Sequence, residues 1–378
     1  MLKPAEEEHS LSALALERAG IGEADGVRGF VVGIDAHLWI TTIARAHSST
    51  SALKGLNPEL ATVFYRLARL AANPVSAVLV FDGPARPGIK RKQTVVATEY
   101  AIIAHAKAFA EAFGFVVHTA PGEAEAELAA MNAAGTVDAI LSDDSDTFAF
   151  GGRVVIRSWN VKNDKDVVHL YAAATIAHHA DTALTREGII LVAVLSGGDY
   201  SPVRAAYGLP GCGVQTAHGL ARYGLGEALV ESCKLDGEMQ DRALDCWREQ
   251  VRTCLRTDPQ QHVGRRQPAL ARGLPDTFPD VEVVRLYTRP LVSSHPLPIS
   301  LSFDKRPPAI DVAALSRLCE RHFNWTKRED LLRKFVRHIW PAVALRRVIC
   351  DIQQRQTLGS ASLPTDTTVS TFDRYYTL

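Results

Sequence analysis

Four short apolar runs in this chain each end in an aspartate, and that punctuation constrains the fold more than any other feature. Gly29-Phe-Val-Val-Gly-Ile runs into Asp35, and Val78-Leu-Val-Phe into Asp82. Val137-Asp-Ala-Ile-Leu-Ser runs into Asp143-Asp144-Ser145-Asp146, and Leu191-Val-Ala-Val-Leu-Ser-Gly-Gly into Asp199. A fifth segment, Phe115-Val-Val, leads through a turn to Pro121-Gly122-Glu123-Ala-Glu125. Short runs rich in Val and Ile read as buried parallel strands. In an open parallel sheet, sites form outside the carboxyl ends of the strands. Asp35, Asp82, Glu123, Glu125, Asp144, Asp146 and Asp199 are therefore expected to converge on one place. Crowded carboxylates repel one another. The remedy is hard divalent cations, and Mg²⁺ with its preference for oxygen ligands fits. The set points to two-metal phosphodiester chemistry.

The rest of the chain sets looser bounds. Its 378 residues allow one large or two medium domains. Lys plus Arg balance Asp plus Glu at 42 each, so net charge alone gives no sign of a nucleic-acid partner. Six cysteines (Cys212, Cys233, Cys246, Cys254, Cys319, Cys350) form no Cys-x-x-Cys pair and read as reduced, mostly buried thiols of an intracellular protein. No apolar run approaches the ~18 residues of a membrane span, and no basic region followed by an apolar stretch marks a signal peptide at the start.

Strand–helix alternation from residue 29 to about 206 predicts an α/β core with a mostly parallel central sheet flanked by helices. Residues 1–28 read as an acidic, alanine-rich segment ahead of it, with a helix around 10–19. A helix is predicted from Asn57 to Ala72, where Leu60, Val63, Phe64, Leu67 and Leu70 recur at helical spacing. Lys90-Arg91-Lys92 is expected to open a helix to about Phe113, and another helix is expected to end near Ser196. Residues 207–350 are mainly helical in pattern, with a proline-rich break between 275 and 310. The tail from about 351 is poor in apolar residues and reads as disordered.

Several of these features have two readings. Asp144 and Asp146 stand two apart after a strand, where extended backbone would aim both the same way. Glu123 and Glu125 share that spacing, yet acids at a helix start also stabilise its dipole. The run Gly208-Leu-Pro-Gly211-Cys-Gly213 is either a tight turn between helices or a backbone cradle for phosphate. Lys90-Arg91-Lys92 is either a solvated helix start or a phosphate clamp. The late basic residues, among them Arg317, Arg321, Lys327, Arg328, Arg333, Lys334, Arg337, Arg346 and Arg347, form a solvated face or a DNA-backbone surface. His37, Trp39, Trp325 and Trp340 read as core or edge residues.

Taken in order, these motifs resemble the flap endonuclease/xeroderma-pigmentosum-G class of structure-specific nucleases over roughly residues 29–350. Val-Gly-Ile-Asp35, Val-Phe-Asp82-Gly-Pro, Pro-Gly-Glu123-Ala-Glu125, Ser-Asp-Asp144-Ser-Asp146 and Leu-Ser-Gly-Gly-Asp199 carry the resemblance. So does the glycine hairpin, which is similar to the class's helix-two-turn-helix. Phe278-Pro-Asp-Val, Tyr287-Thr-Arg-Pro290 and the segment from Trp325 to Pro341 are similar to the fungal Holliday-junction resolvases of the class. Only 40 residues separate Asp82 from Glu123, less than a flap endonuclease uses to build its arch. No clamp-binding Gln-x-x-aliphatic-x-x-aromatic-aromatic motif is visible near the C-terminus.

The resemblance implies a PIN-like nuclease core with two Mg²⁺ ions, for which Mn²⁺ could substitute. Asp35, Asp82, Glu123 and Glu125 would hold one ion, with Asp144, Asp146 and Asp199 nearer the second. Lys90 and Arg91 would support the scissile phosphate. Lys92, Gly208, Gly211, Gly213 and Gln215 would contact DNA, with K⁺ at the hairpin. It implies a nuclear protein that takes branched DNA (a four-way junction or a 5′ flap), dimerises on the junction and has no membrane partner. Two alternatives stand beside junction resolution: a flap or bubble endonuclease, and a non-catalytic nucleic-acid-binding relative. Two departures from the class concern the ends. The chain begins Met-Leu-Lys-Pro where the class begins Met-Gly-Val or Met-Gly-Ile, and it stops near where a resolvase would carry a chromodomain-like module.

Overall fold

The computed structural model describes residues 1–18, 29–48, 57–86, 89–90, 93–94, 101–159, 166–200, 208–294 and 309–357. Nine strands are present among them: β1 (Glu7–Ser10), β2 (Phe30–Asp35), β3 (Val75–Phe81), β4 (Ile89–Lys90), β5 (Gln93–Thr94), β6 (Val116–Thr119), β7 (Ala139–Leu141), β8 (Val154–Arg157) and β9 (Val167–Ala172). Seven build one sheet in the order β1-β9-β8-β7-β2-β3-β6. The pairs β2–β3, β2–β7, β3–β6 and β7–β8 are parallel; β8–β9 and β1–β9 are antiparallel. Strands β2 and β3 are buried at every position, as strands covered by helices on both faces must be. Chain order reverses direction across β7–β2, and in such sheets the crevice at the switch point is where ligands bind.

The structure departs from the sequence reading in four places. The run before Asp199 is not a strand but belongs to the helix also expected to end near Ser196. That helix, Arg186–Ser196, is closed by Gly197 in the left-handed region at φ 90°. A short apolar run cannot by periodicity alone be told from a buried helical turn. Secondly, Lys90 lies on a two-residue antiparallel ribbon, β4–β5, and not in a helix; the described helix that follows is Ala101–Ala112. Thirdly, the helix Val281–Thr288 falls inside the expected proline-rich break. Fourthly, Glu7–Ser10, read as part of a segment ahead of the core, form the sheet's edge strand. The edge strand is polar, which is how exposed sheet edges avoid pairing with other chains, and so it carried no apolar signal.

Among the described residues three buried clusters sit on the sheet, two of them large. One holds the helix Pro58–Ala71 with Phe109, Phe113, Leu315 and Phe323. Phe64 makes ring contacts of 5.5–5.8 Å with Phe109, Phe113, Phe323 and Trp325. A buried ring of this kind contributes about 2–3 kcal/mol, so the helices from Val312 onward are fixed to the sheet's own core. Arg346 belongs to this packed region and not to a basic surface. It is buried, donates from Nη1 to the Phe113 carbonyl at 2.8 Å and lies over the Phe115 ring. Burial pushes its pKa down to about 10. The second core gathers Phe148, Phe150, Ile190, Leu195, Trp247 and Tyr287 on the other side. Of the six cysteines, all free, only Cys212, Cys233 and Cys319 are buried.

The first residues are tied down by a remote acid. Asp166, just before β9, accepts from the Ser12 backbone N–H at 2.9 Å, from Ser10 Oγ at 2.6 Å and from Ser12 Oγ. It therefore caps the helix Leu11–Arg18 from outside that helix. Burial pushes the Asp166 carboxyl up, but the hydrogen bonds from Ser10 and Ser12 outweigh it and hold it below its ordinary value of 3.8. A depressed folded-state pKa gives stability that is present above the unfolded value and lost as pH falls through the folded one. Asp166→Ala is expected to cost about 1 kcal/mol at neutral pH. In thermal melts the gap to wild type should close as pH is lowered below 3.8; a gap independent of pH would mean that the carboxylate charge plays no part.

Candidate active site

Four of the acids ride on the ends of adjacent parallel strands. Asp35 is the last residue of β2, and Asp82 follows β3. Glu123 follows β6 as the N-cap of the helix Ala124–Ala133, which carries Glu125 in its first turn. Asp144 follows β7, and Asp146 opens the short helix Asp146–Ala149. Asp199 stands two residues beyond the C-cap of the helix Arg186–Ser196 and is buried, as are Asp35 and Glu125. Asp144 and Asp146 are related by a turn and not by extended backbone: Asp144 Oδ1 accepts from the Asp146 N–H at 2.9 Å.

The carboxylates are held by donors of the chain itself. Asp35 Oδ1 accepts from Leu38 N at 2.8 Å. Asp82 Oδ1 accepts from Ala124 N at 2.9 Å, which links the β3 end to the helix behind Glu123. Asp82 Oδ2 takes Arg86 Nη1 at 3.0 Å, with His37 Nε2 at 3.8 Å from the same oxygen. Tyr200 donates its hydroxyl to Glu123 Oε2, and Tyr287 donates to Asp146 Oδ2 at 3.2 Å. Among the described residues no three His, Cys, Asp or Glu side chains form a ready-made metal cage. The donor set is nevertheless all carboxylate oxygen, the chemistry that suits a hard divalent cation. Arg86 stands on Asp82 as a cation supplied by the chain.

Beside Asp144 lies a cavity of about 420 Å³ whose walls include Trp39, Arg66 and Trp159. Trp39 and Trp159 stack at 5.8 Å, and the Arg66 guanidinium lies 5.5 Å from the Trp39 ring centre. Burial lowers the Arg66 pKa, against the opposing field of Asp143.

Of the residues expected to contact phosphate and DNA, only some lie among the described residues. Arg91 and Lys92 lie outside the described residues, and of Lys90 only the backbone is described. The hairpin lies against the end of the helix Arg186–Ser196, with Leu209 N donating to Leu195 O at 2.8 Å. Gly208 and Gly211 take φ of 58° and 86°, which glycine alone adopts without cost. Leu209 and Cys212 are buried, whereas Gly211, Gly213 and Gln215 are exposed. Gly213 is the N-cap of the helix Val214–Ala221. The hairpin follows Asp199 closely in sequence and leaves Gly211 and Gly213 open to solvent.

Sequence reasoning missed Arg86, Tyr200 and Tyr287, and it placed His37 in the core or at its edge. His37 and Arg86 had a faint signal, each within four residues of a site aspartate. Tyr200 follows Asp199 directly. Tyr287 had none in spacing, because it lies 141 residues from the Asp146 that it contacts.

Comparison with known proteins gives the same outline. The family model of the XPG N-terminal domain matches residues 9–99, and that of the XPG I-region matches residues 114–199. Flap endonuclease GEN homolog 1 of Mus musculus is 26% identical over 221 residues, 54% of this chain and 24% of the relative. The DNA repair protein RAD2 of Saccharomyces cerevisiae is 37% identical over 113 residues, 30% of this chain and 10% of the relative. The matched stretches thus span a quarter or less of these relatives' length. A crystal structure of the Holliday junction-resolving enzyme GEN1, in complex with product DNA and Mg²⁺, superposes with a TM-score of 0.71 at 33% identity. The match covers 95% of this chain and 81% of that one. The catalytic core of Rad2 in complex with DNA substrate shares the fold, with a TM-score of 0.60 at 22% identity, covering 90% of this chain and 97% of that one.

Proposed function

Because the chain belongs to the flap endonuclease/XPG class of structure-specific nucleases, we propose that it hydrolyses a DNA phosphodiester near a branch point, with the four-way junction as its substrate. The observation that carries this reading is the line of acids at the ends of β7, β2, β3 and β6, across the switch point of the sheet. Asp35, Asp82, Glu123 and Glu125 would hold one Mg²⁺, and Asp144, Asp146 and Asp199 a second. When bound, such a pair supplies an activated water and charge stabilisation on the in-line transition state. The chain's own residues do the remaining work. Leu38 N, Ala124 N, Tyr200 and Tyr287 orient carboxylate oxygens. The cavity at Trp39, Arg66 and Trp159 leaves room for a strand beside Asp144. Lys90 and Arg91 would neutralise the scissile phosphate.

The hairpin at Gly208, Gly211, Gly213 and Gln215, together with Lys92, would grip duplex backbone, a contact that positions without reading bases. Backbone carbonyls there are the donor type that K⁺ accepts. The short interval between Asp82 and Glu123 favours an open site and hence a continuous strand, and two copies on one junction would place paired nicks. These properties fit a nuclear protein, and no described helix is long and apolar enough to cross a membrane. A 5′-flap activity is the second reading, favoured by the name of the mouse relative. Nicking of an end-labelled four-way junction, a 5′ flap and a plain duplex in Mg²⁺ separates them. Symmetric paired cuts in the junction are the expected result. Cutting of the flap alone would move the chain to the second reading, and no cutting with DNA still bound would make it a non-catalytic binder.

A further inference from the structure

We propose that Tyr287 and Tyr200 are positioning residues that set the geometry of the acidic site from the helical region, and that the segment Tyr287–Ser293 is the strap that holds them there. The inference rests on the metal-dependent nuclease reading above. Tyr287 is wholly buried and Tyr200 nearly so. Their rings meet edge to face at 4.9 Å, and Phe150 packs on both. From this one aromatic cluster the two hydroxyls leave in different directions, Tyr200 to Glu123 Oε2 and Tyr287 to Asp146 Oδ2. Rings locked by their neighbours hold a hydroxyl in place, and a hydroxyl donating to a carboxylate fixes the orientation of that carboxylate. One acid from each proposed ion's set is thus referred to a single rigid body.

The strap is anchored at Tyr287, Leu291 and Ser293. The Tyr287 carbonyl accepts from Arg186 Nη2 at 2.9 Å, while Arg186 Nε donates to Ala149 O at 3.0 Å, at the far end of the helix that begins with Asp146. Further along, Leu291 lies against Gly122, where an added Cβ would stand 2.7 Å from the Leu291 carbonyl oxygen. Ser293 N then donates to Glu127 Oε2 at 2.8 Å, and Glu127 Oε1 is bonded to His118 at 2.9 Å. A Cβ on Gly198 would come 2.6 Å from the Tyr287 hydroxyl, so the glycine before Asp199 is what admits the tyrosine. The strap therefore touches the elements that carry Glu123, Glu125, Asp146 and Asp199, and it continues directly from the helix Val281–Thr288.

The test uses the full chain and Tyr287→Phe, Tyr200→Phe and Gly198→Ala, because Phe keeps the ring and removes only the donor. Mn²⁺ binding by isothermal titration is the first readout, and the split between kcat and KM on junction DNA the second. Loss of an outer-sphere hydrogen bond costs metal affinity about tenfold, so the Mn²⁺ dissociation constant should rise by about that factor in each Phe variant. Half-saturating Mg²⁺ should rise in step, with kcat reduced, KM for DNA unchanged and the melting temperature close to wild type. Gly198→Ala should show the same signature by displacing the Tyr287 hydroxyl. Wild-type Mn²⁺ affinity in both Phe variants would overturn the proposal while leaving the nuclease reading intact. A wild-type chain that neither binds Mn²⁺ nor cuts would overturn both. A rise in KM alone would place the tyrosines on the DNA path instead and overturn the positioning role.

Discussion

An Asp144→Asn/Asp146→Asn double variant is expected to lose junction cutting by at least about a thousandfold, since one lost electrostatic stabiliser already costs about a hundredfold or more. It should still fold. Asn keeps an Oδ1 that can accept from the residue 146 N–H, as Asp144 does now at 2.9 Å, and an oxygen that can accept from the Tyr287 hydroxyl. What it removes is two negative charges. Those charges repel phosphate when no cation is present, so the variant should bind DNA in a metal-free buffer as tightly as wild type, or more tightly. The pairing of these two results is what separates a catalytic loss from a damaged protein. Gel-shift titration in EDTA and single-turnover cutting in Mg²⁺ measure them. Undiminished cutting would remove Asp144 and Asp146 from the site, and loss of both cutting and binding would make them structural.

What the sequence disclosed, and what it withheld, follows from the range of each interaction. Asp35, Asp82 and Asp144 were legible because each closes a run whose burial is a local property of β-branched residues. The run before Asp199 carried two readings, a strand and the end of a helix near Ser196, because burial alone does not distinguish a helical turn from a strand, and the helix is what forms. Strand β1 was invisible for the opposite reason: Glu7, Glu8, His9 and Ser10 are polar, and their place is fixed by pairing with Val167–Leu170 far along the chain. Asp144 and Asp146 were singled out as a pair on extended spacing, whereas their relation is a side-chain-to-backbone turn. Tyr200 and Tyr287 act through long-range hydrogen bonds to Glu123 and Asp146, which leave no periodic trace, and Arg86 meets Asp82 across a loop with no repeat to mark it. Arg346 shows the converse error, a basic residue in a basic stretch whose burial against Phe113 and Phe115 no count of charges reveals.

Gly83→Ala is expected to be the most damaging single-methyl change near the acids. Its reason is space and not backbone angle, because Gly83 is not among the positive-φ residues. The loop after β3 and the loop after β6 are laced together: Gly83 N donates to Gly122 O at 2.7 Å, Ala85 N to Pro121 O at 3.1 Å, and Ala120 N to Phe81 O at 2.9 Å. A Cβ on Gly83 would run into the Ala120 carbonyl oxygen and stand 2.6 Å from that of Pro121. Both obstacles are backbone, and backbone cannot swing aside as a side chain does. Relief requires the loops to part, and one carries Asp82 while the other carries Glu123. Asp82 Oδ1 would then lose its 2.9 Å bond from Ala124 N. Overpacking of this kind costs about 1–3 kcal/mol of stability, whereas a misplacement near 1 Å can cost about a hundredfold in rate. Gly29→Ala is the matched control, since its Cβ would meet only Ser76 Oγ at an ordinary 3.6 Å. Single-turnover cutting well below the melting temperature should fall about a hundredfold for Gly83→Ala and hold for Gly29→Ala. If Gly83→Ala melts lower yet cuts at the wild-type rate, the lacing between these loops serves the fold alone, and the juxtaposition of Asp82 and Glu123 is not what the reaction depends on.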